Sequence, residues 1–400
     1  MNEKFLAIGI EAELVTALEK MEFSQPTPIQ SEVLPVALAG KNVIGESATG
    51  TGKTLAYLLP LVQKIDAANR ATQAVVLAPT YELAMQIYRQ LELLLQKSGK
   101  TIAIASLIGG ANISRQIDKL KNKPQIVVGS VGRIIELQRK RKLNLQKVNM
   151  VVLDEADRMV DDQNFATVRQ FVKELPADVQ YMLFSATISR KALSKADEFV
   201  QDPVNILLKD KAESAINITH SYFLTDFRDK IEMIRKLTRA LEIKRGLVFV
   251  NKTHDIKMVT EKLRYHELKV VGLTGDAGKM ERKKAIDDFQ KGKVVLMVAS
   301  DVAARGLDIA DIDFVIQIDV ADNEKTYTHR AGRTGRAGKS GTCISLVAPQ
   351  EIVKIADFSK RLSIEIKPQQ LSNGKVVDFK RRSSNKNYTQ SKKNNPAGKS

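Results

Sequence analysis

Short runs of apolar, often β-branched residues alternate along the chain with longer stretches whose apolar positions recur at helical spacing. The first series of runs lies at Asn42–Gly45, Ala74–Ala78, Ile102–Ser106, Ile126–Gly129, Met150–Leu153 and Tyr181–Phe184. Strands that alternate with helices in this way predict parallel sheets joined by right-handed crossovers, an α/β architecture. A second series follows at Gly246–Val250, Lys269–Leu273, Val294–Ala299, Phe314–Ile318 and Thr342–Val347. The repeat of the pattern predicts two lobes. Between the series, Gln201–Ser214 holds Asp202-Pro203 and mixed charges without clear periodicity, as a connector does, and the boundary is set near Lys209. The expected organisation is a first lobe over 1–208, a second over 209–370 and a tail over 371–400.

Composition agrees with a folded chain. Apolar residues make up 43% and charged residues 27% of 400, the balance of a globular protein of two ordinary domains. The start, MNEKFLAIGIEAELV, lacks the basic region and apolar core of a signal peptide, and no apolar run reaches membrane-spanning length. Cys343 is the only cysteine, which excludes an internal disulfide or a thiolate cluster and fits a reducing cytoplasm. The formal charge of +17 attracts polyanions and makes nucleic acid the leading partner. From Phe379 onward there are seven basic residues and no acid, so the tail is expected to be disordered, with Lys380, Arg381 and Arg382 available to a phosphate backbone.

Two motifs specify chemistry. The run Asn42–Gly45 leads into Ser47-Ala48-Thr49-Gly50-Thr51-Gly52-Lys53-Thr54, after which Leu55–Val62 reads as a helix. Strand, glycine-rich turn and helix start aim backbone N–H groups at one point, which suits a phosphate chain. Lys53 would reach the β- and γ-phosphates of ATP, and the Thr54 hydroxyl would help hold Mg2+. The general phosphate-loop pattern has glycine where this chain has Ser47. Farther on, a buried-strand pattern ends in Asp154-Glu155-Ala156-Asp157. Carboxylates at the carboxyl end of a parallel strand share the sheet edge where ligands of open α/β sheets gather. Asp154 would hold the ion through its water shell, and Glu155 would orient or deprotonate the attacking water.

With these motifs in this order, residues 1–350 resemble the DEAD-box ATP-dependent RNA helicases. The resemblance implies two tandem RecA-like lobes, each a parallel sheet flanked by helices, followed by a short disordered basic tail. Phe23 with Pro26-Thr27-Pro28-Ile29-Gln30 is similar to the family's adenine-reading motif, and the Gln30 amide can donate and accept at once. Phe5 is similar to the family's isolated upstream aromatic, and the sequence leaves open which of Phe5 and Phe23 lies nearer the base. Ser185-Ala186-Thr187 resembles the element that couples ATP state to unwinding, together with Asp157 and His329. Tyr327-Thr328-His329-Arg330-Ala331-Gly332-Arg333-Thr334-Gly335-Arg336 resembles the arginine-finger motif. Arginines clustered this closely repel unless an anion neutralises them, and a triphosphate would do so through Arg333 and Arg336. In Asp301-Val302-Ala303-Ala304-Arg305-Gly306-Leu307-Asp308 the resemblance gives Arg305 to placing the hydrolytic water and Asp308 to the ribose.

For RNA, the resemblance points to backbone contacts from Pro79, Thr80, Gly109, Gly110 and Arg133 in the first lobe and from Gly275 and Ser300 in the second. Such contacts hold phosphates and ignore sequence. The chain departs from the family at Tyr81, where arginine is usual, at Ser130-Val131, where Thr-Pro is usual, and at Glu22 and Thr274, where glycine and histidine are common. Hydrolysis then requires the lobes to meet. An ATP-dependent RNA clamp with little unwinding has the same sequence features, and strand release measured beside ATP turnover separates the two. A monomer is expected, and ribosomal or mRNA-decay complexes are the partners the resemblance leaves open.

Overall fold

In the computed structural model the described residues are 3–47, 50–162, 164–208, 218–274, 277, 279–304, 312–335 and 339–379. Seven strands form the first sheet: β1 Val43–Glu46, β2 Ala74–Leu77, β3 Ile104–Leu107, β4 Ile126–Gly129, β5 Met150–Asp154, β6 Gln180–Ser185 and β7 Val204–Leu207. Their order is β3-β4-β2-β5-β6-β1-β7, and every pairing is parallel. The strands read as continuous apolar runs because both faces are covered by helices. In β2, Ala74 and Val76 face one buried cluster while Val75 and Leu77 face the other. Val75, Val76 and Leu77 each contribute about 1.5–3 kcal/mol on full burial.

The second sheet has eight strands: β8 Ile218–Leu224, β9 Gly246–Val250, β10 Val270–Leu273, β11 Leu296–Ser300, β12 Phe314–Gln317, β13 Gly341–Val347, β14 Ile366–Ser372 and β15 Lys375–Asp378. Their order is β10-β11-β9-β12-β13-β8-β14-β15, with the β14–β15 hairpin antiparallel and the other pairings parallel.

Two expectations change. Residues 201–208, read as connector, contain β7, which pairs in parallel with β1 through Val43–Val204 to Glu46–Leu207. As an edge strand with only Ile206 buried, β7 shows no strong apolar signal. The second sheet also continues past residue 370, because β14 pairs with β8 and turns back through Asn373-Gly374 into β15. The boundary near Lys209 and the tail residues Lys380, Arg381 and Arg382 lie outside the described residues.

The topology positions the chemistry. Glu46 at the end of β1 pairs with Ser185 of β6, and Asp154 at the end of β5 pairs with Phe184 of β6. The phosphate loop and the acidic motif therefore leave one sheet edge two inter-strand spacings apart, about 10 Å. The element Ser185-Ala186-Thr187 starts between them.

Candidate functional site

The phosphate loop follows from local sequence. Gly50 (φ 83°) and Gly52 (φ 95°) adopt left-handed backbone, and Gly52 caps the helix Lys53–Lys64. A side chain at Gly52 would be strained and would also meet Gln30 Nε2 at 2.6 Å. Lys53 and Thr54 open that helix, where backbone N–H groups and the helix dipole favour an anion. Ser47, where the general motif has glycine, is buried, and its Oγ lies 2.7 Å from Thr51 Oγ1, tying the two ends of the turn. The ammonium of Lys53 donates to Ser47 O. Ala48 and Thr49 lie outside the described residues.

Gln30 is engaged within the protein: its Oε1 accepts from Thr27 N (3.0 Å) and its Nε2 donates to Gly52 O (3.0 Å). This side chain thus links the helix Pro28–Leu38 to the last glycine of the phosphate loop. Of the two aromatics left open by the sequence, Phe5 is fully buried in the core whereas Phe23 is exposed. Phe23 alone of the pair offers a surface to a ring.

Opposite the loop, Asp154 is buried with both oxygens engaged: Oδ2 accepts from Tyr57 Oη (2.8 Å) and Oδ1 from Glu155 N (2.9 Å). Burial pushes its carboxyl up, opposed by the charge of Lys53 and the Tyr57 hydroxyl. Burial also pushes the Tyr57 phenol well up, with Asp154 adding to the effect, so Tyr57 stays a donor. Glu155 sits at φ 50°, a left-handed conformation costly for a residue with a side chain, and it accepts from Arg158 Nη1 (2.9 Å). Strained backbone held by its surroundings is characteristic of working sites.

Ser185 Oγ donates to Asp157 Oδ1 (2.7 Å), and the Thr187 hydroxyl is buried without a hydrogen-bond partner among the described residues. The element after β6 is therefore joined to the last acid of the DEAD sequence, as the family resemblance leads one to look for.

The second lobe meets this edge directly. Arg158 of the first lobe lines a narrow crevice with Asp301, Thr326, His329, Arg330 and Arg333 of the second. Among the described residues, ion pairs across the seam join Glu82 with Arg282 (2.7 Å) and Asp157 with Lys325. His329 is pushed down to about 4, chiefly by burial and then by Arg158, so the imidazole is neutral at neutral pH. Sequence reasoning passed over Arg158, Tyr57 and Lys325; the first two were detectable as a basic and an aromatic residue next to motifs already singled out.

Arg330 requires a correction to the reading of the arginine cluster. Its guanidinium is 1% exposed, donates to Asp301 Oδ1 (2.7 Å) and Oδ2 (2.6 Å), Asn251 Oδ1 (2.7 Å) and Asp319 O (2.8 Å), and lies 5.2 Å from the centroid of Phe249. Here the neutralising anion is Asp301, and Arg330 fastens the helix Glu324–Ala331 to the ends of three strands. Arg333 lies on the seam. Arg336, Arg305 and Asp308 lie outside the described residues.

The expected RNA-facing residues of the first lobe gather at strand ends. Pro79, Gly109 and Arg133 line one open cleft of about 430 Å³ together with Ser130, Val131 and Gly132. Thr80 caps the helix Tyr81–Ser98 by accepting from Leu83 N (3.2 Å), and Gly110 takes φ 68° at the adjoining turn. Arg133 donates to Ala111 O (3.2 Å) and pairs with Glu136 (3.0 Å). In the second lobe Ser300 is buried, and its hydroxyl lies 3.4 Å from both Thr253 Oγ1 and Ala303 N. Gly275 is outside the described residues. Among the described residues no helix is long and apolar enough to cross a membrane.

Comparison with known proteins adds the following. The DEAD/DEAH box helicase model matches residues 27–196, and the helicase conserved C-terminal domain model matches residues 229–338. The DEAD-box ATP-dependent RNA helicase CshC of Bacillus cereus is 41% identical over 367 residues, 92% of this chain and 93% of CshC. S. cerevisiae Dbp5 bound to RNA and ADP BeF3 is 30% identical with a TM-score of 0.81, covering 91% of this chain and 95% of that one. A singly substituted S. cerevisiae Dbp5 bound to Nup159, a Gle1 variant, IP6 and ADP is 28% identical and matches with a TM-score of 0.65 over 90% and 95%.

Proposed function

This chain belongs to the DEAD-box family of ATP-dependent RNA helicases, and on that premise we propose how its residues divide the work of hydrolysing ATP and remodelling RNA. ATP binds at the first lobe, its phosphates at the helix start Lys53-Thr54 and its adenine toward Gln30 and Phe23. Gln30 reports on the phosphate loop because it bonds Gly52 O. The residues present fit a magnesium ion. One buried carboxylate, Asp154, lies close enough to the loop to feel the charge of Lys53, and among the described residues there is no group of three acidic or metal-ligating side chains. An ion held mostly by phosphate and water needs none. Asp154 and Thr54 would hold it, and it would supply positive charge to offset that on the phosphates.

Glu155, fixed by Arg158, orients the attacking water and takes its proton. Arg333 and Arg336 supply positive charge from the second lobe to the transferring phosphoryl group. Such arginines are worth on the order of a thousandfold in rate. Arg305 helps place the hydrolytic water and Asp308 holds the ribose. Single-stranded RNA lies along the cleft of Pro79, Gly109 and Arg133, held by its backbone, with 2′-hydroxyls distinguishing it from DNA. Asp157, Ser185, Thr187 and His329 join the two ligand sites. A reducing, cytoplasmic setting is consistent with a chain whose single cysteine is Cys343.

The observation that carries this reading is the seam: Arg158, bonded to Glu155, lines one crevice with Arg333 and His329 of the other lobe. Support comes from the fit to Dbp5, which is better with the RNA and ADP BeF3 complex than with the Nup159 complex, 0.81 against 0.65. The test is ATP turnover measured beside strand release from a short RNA duplex. The expected result is turnover raised by RNA, not by DNA of matched sequence, accompanied by strand release and abolished by Glu155→Gln. Turnover without strand release favours the RNA clamp; turnover indifferent to RNA refutes the reading.

A further inference from the structure

We infer that Lys325 is a positioning residue of lobe closure, supplying the positive charge by which the second lobe holds the buried carboxylate of Asp157. The geometry is asymmetric. The side chain of Asp157 is 3% exposed and that of Lys325 is 43% exposed. Asp157 Oδ1 is taken by Ser185 Oγ within the first lobe. Its Oδ2 is fully buried, and among the described residues it has no hydrogen-bond partner apart from the Lys325 ammonium.

Lys325 and His329 stand four residues apart in the helix Glu324–Ala331, so they share the face that meets the first lobe. Among the described residues, the groups surrounding Asp157 are Ser185 at the end of β6 and Thr187 just after it, Arg158 beside it in the chain, and Lys325 and His329 from the facing helix. Arg158 is committed to Glu155. The imidazole of His329, held down to about 4, brings hydrogen-bonding capacity but no charge. The ammonium of Lys325 keeps part of its hydration while neutralising a carboxylate that has lost its own, so the pair escapes most of the desolvation cost of a fully buried bridge. When the lobes part, Asp157 keeps Ser185 and loses its counter-charge. Closure is thereby favoured from the DEAD sequence itself, next to the atoms that read ATP. The inference deepens the helicase reading and rests on it only for the RNA arm of the test.

The experiment uses the full chain with one dye on each lobe at the exposed positions Glu92→Cys and Lys262→Cys, since Cys343 is buried and unreactive. Energy transfer gives the ratio of closed to open molecules, first without ligand and then with AMP-PNP and oligouridylate. Lys325→Ala is expected to lower the ratio about tenfold in both conditions, Lys325→Arg to stay within about threefold of the parent, and the melting temperature to hold. A closed fraction for Lys325→Ala equal to the parent's, or an equal loss with Lys325→Arg, overturns the assignment. If ligands fail to raise the parent's closed fraction, the helicase reading falls, while the ligand-free arm still decides Lys325.

Discussion

Arg330 and Arg333 stand three residues apart in one arginine motif, yet Arg330 is bonded within its own lobe whereas Arg333 is the residue proposed to serve ATP, and replacing each by methionine separates them. Arg330 is 1% exposed and serves Asp301, Asn251 and the Asp319 carbonyl at 2.6–2.8 Å. Methionine fills much of the volume but leaves these acceptors without their donor. Breaking a buried ion pair by removing one partner costs about 3–5 kcal/mol. The Asp301 side chain is 25% exposed and regains some water, so the lower end applies, about 3 kcal/mol. For a lobe of this size each kcal/mol moves the midpoint by about 2–4 °C, which predicts a fall of about 6–12 °C. Calorimetry of the full chain reads this as a downward shift of the second lobe's transition. Arg333→Met should lose on the order of a thousandfold in RNA-stimulated turnover. An Arg330→Met protein melting within 2 °C, roughly 1 kcal/mol, would refute the structural duty assigned to Arg330.

Other outcomes follow from local geometry. Glu22 stands at φ 64°, beyond the helix Ala12–Lys20, in backbone that favours glycine; Glu22→Gly should raise stability by about 1 kcal/mol in urea titrations, and a loss would contradict the strain. Gly52→Ala, whose Cβ would lie 2.6 Å from Gln30 Nε2, should raise the KM for ATP at least tenfold, read by steady-state turnover, with little change in RNA affinity at saturating nucleotide. His220 and His329 are both pushed down to about 4 by burial. As pH falls from about 6.5 toward 4 the unfolded chain binds protons the folded one refuses, so stability is full above 6.5 and declines below it. Unfolding free energies from urea titrations should fall between pH 7 and 5, by about 1 kcal/mol per pH unit for each histidine, and a double asparagine variant should flatten the decline. Truncation for a tail test belongs after Phe379, whose N–H extends the β14 ladder by bonding Pro368 O, and it should weaken RNA binding and flatten its salt dependence. An unchanged slope removes the tail from the account.

Most of the fold was legible because fully buried parallel strands are short continuous apolar runs, and these located β1 to β6 and β9 to β13, the edge strands β3 and β10 included. β7, β8, β14 and β15 were not legible. β7 buries only Ile206, β8 buries only Ser221 and Phe223, and β14 is half polar, so none carries the burial signal that period reasoning uses. The β14–β15 turn did leave a mark, Asn373-Gly374 with φ 49° and 75°, a pair that favours two-residue hairpins, but it stands in a stretch whose basic flank draws attention away. At the site, the side chains proposed to touch ligands are the ones that motif and spacing point to. Side chains that act on other side chains were not legible in this way. Tyr57 on Asp154, Arg158 on Glu155 and Arg330 on Asp301 are partnerships between segments distant in sequence or hidden inside a motif, and spacing alone assigns no partner. The same limit applies to Glu22, whose backbone angle explains why glycine suits its position.

The central claim is that ATP and RNA bind one closed arrangement of the two lobes, and the affinity for oligouridylate with and without AMP-PNP tests it most directly. Fluorescence anisotropy should show binding at least tenfold tighter with the nucleotide, and AMP-PNP should bind tighter by the same factor when RNA is present. Equal RNA affinity in both conditions would contradict the account.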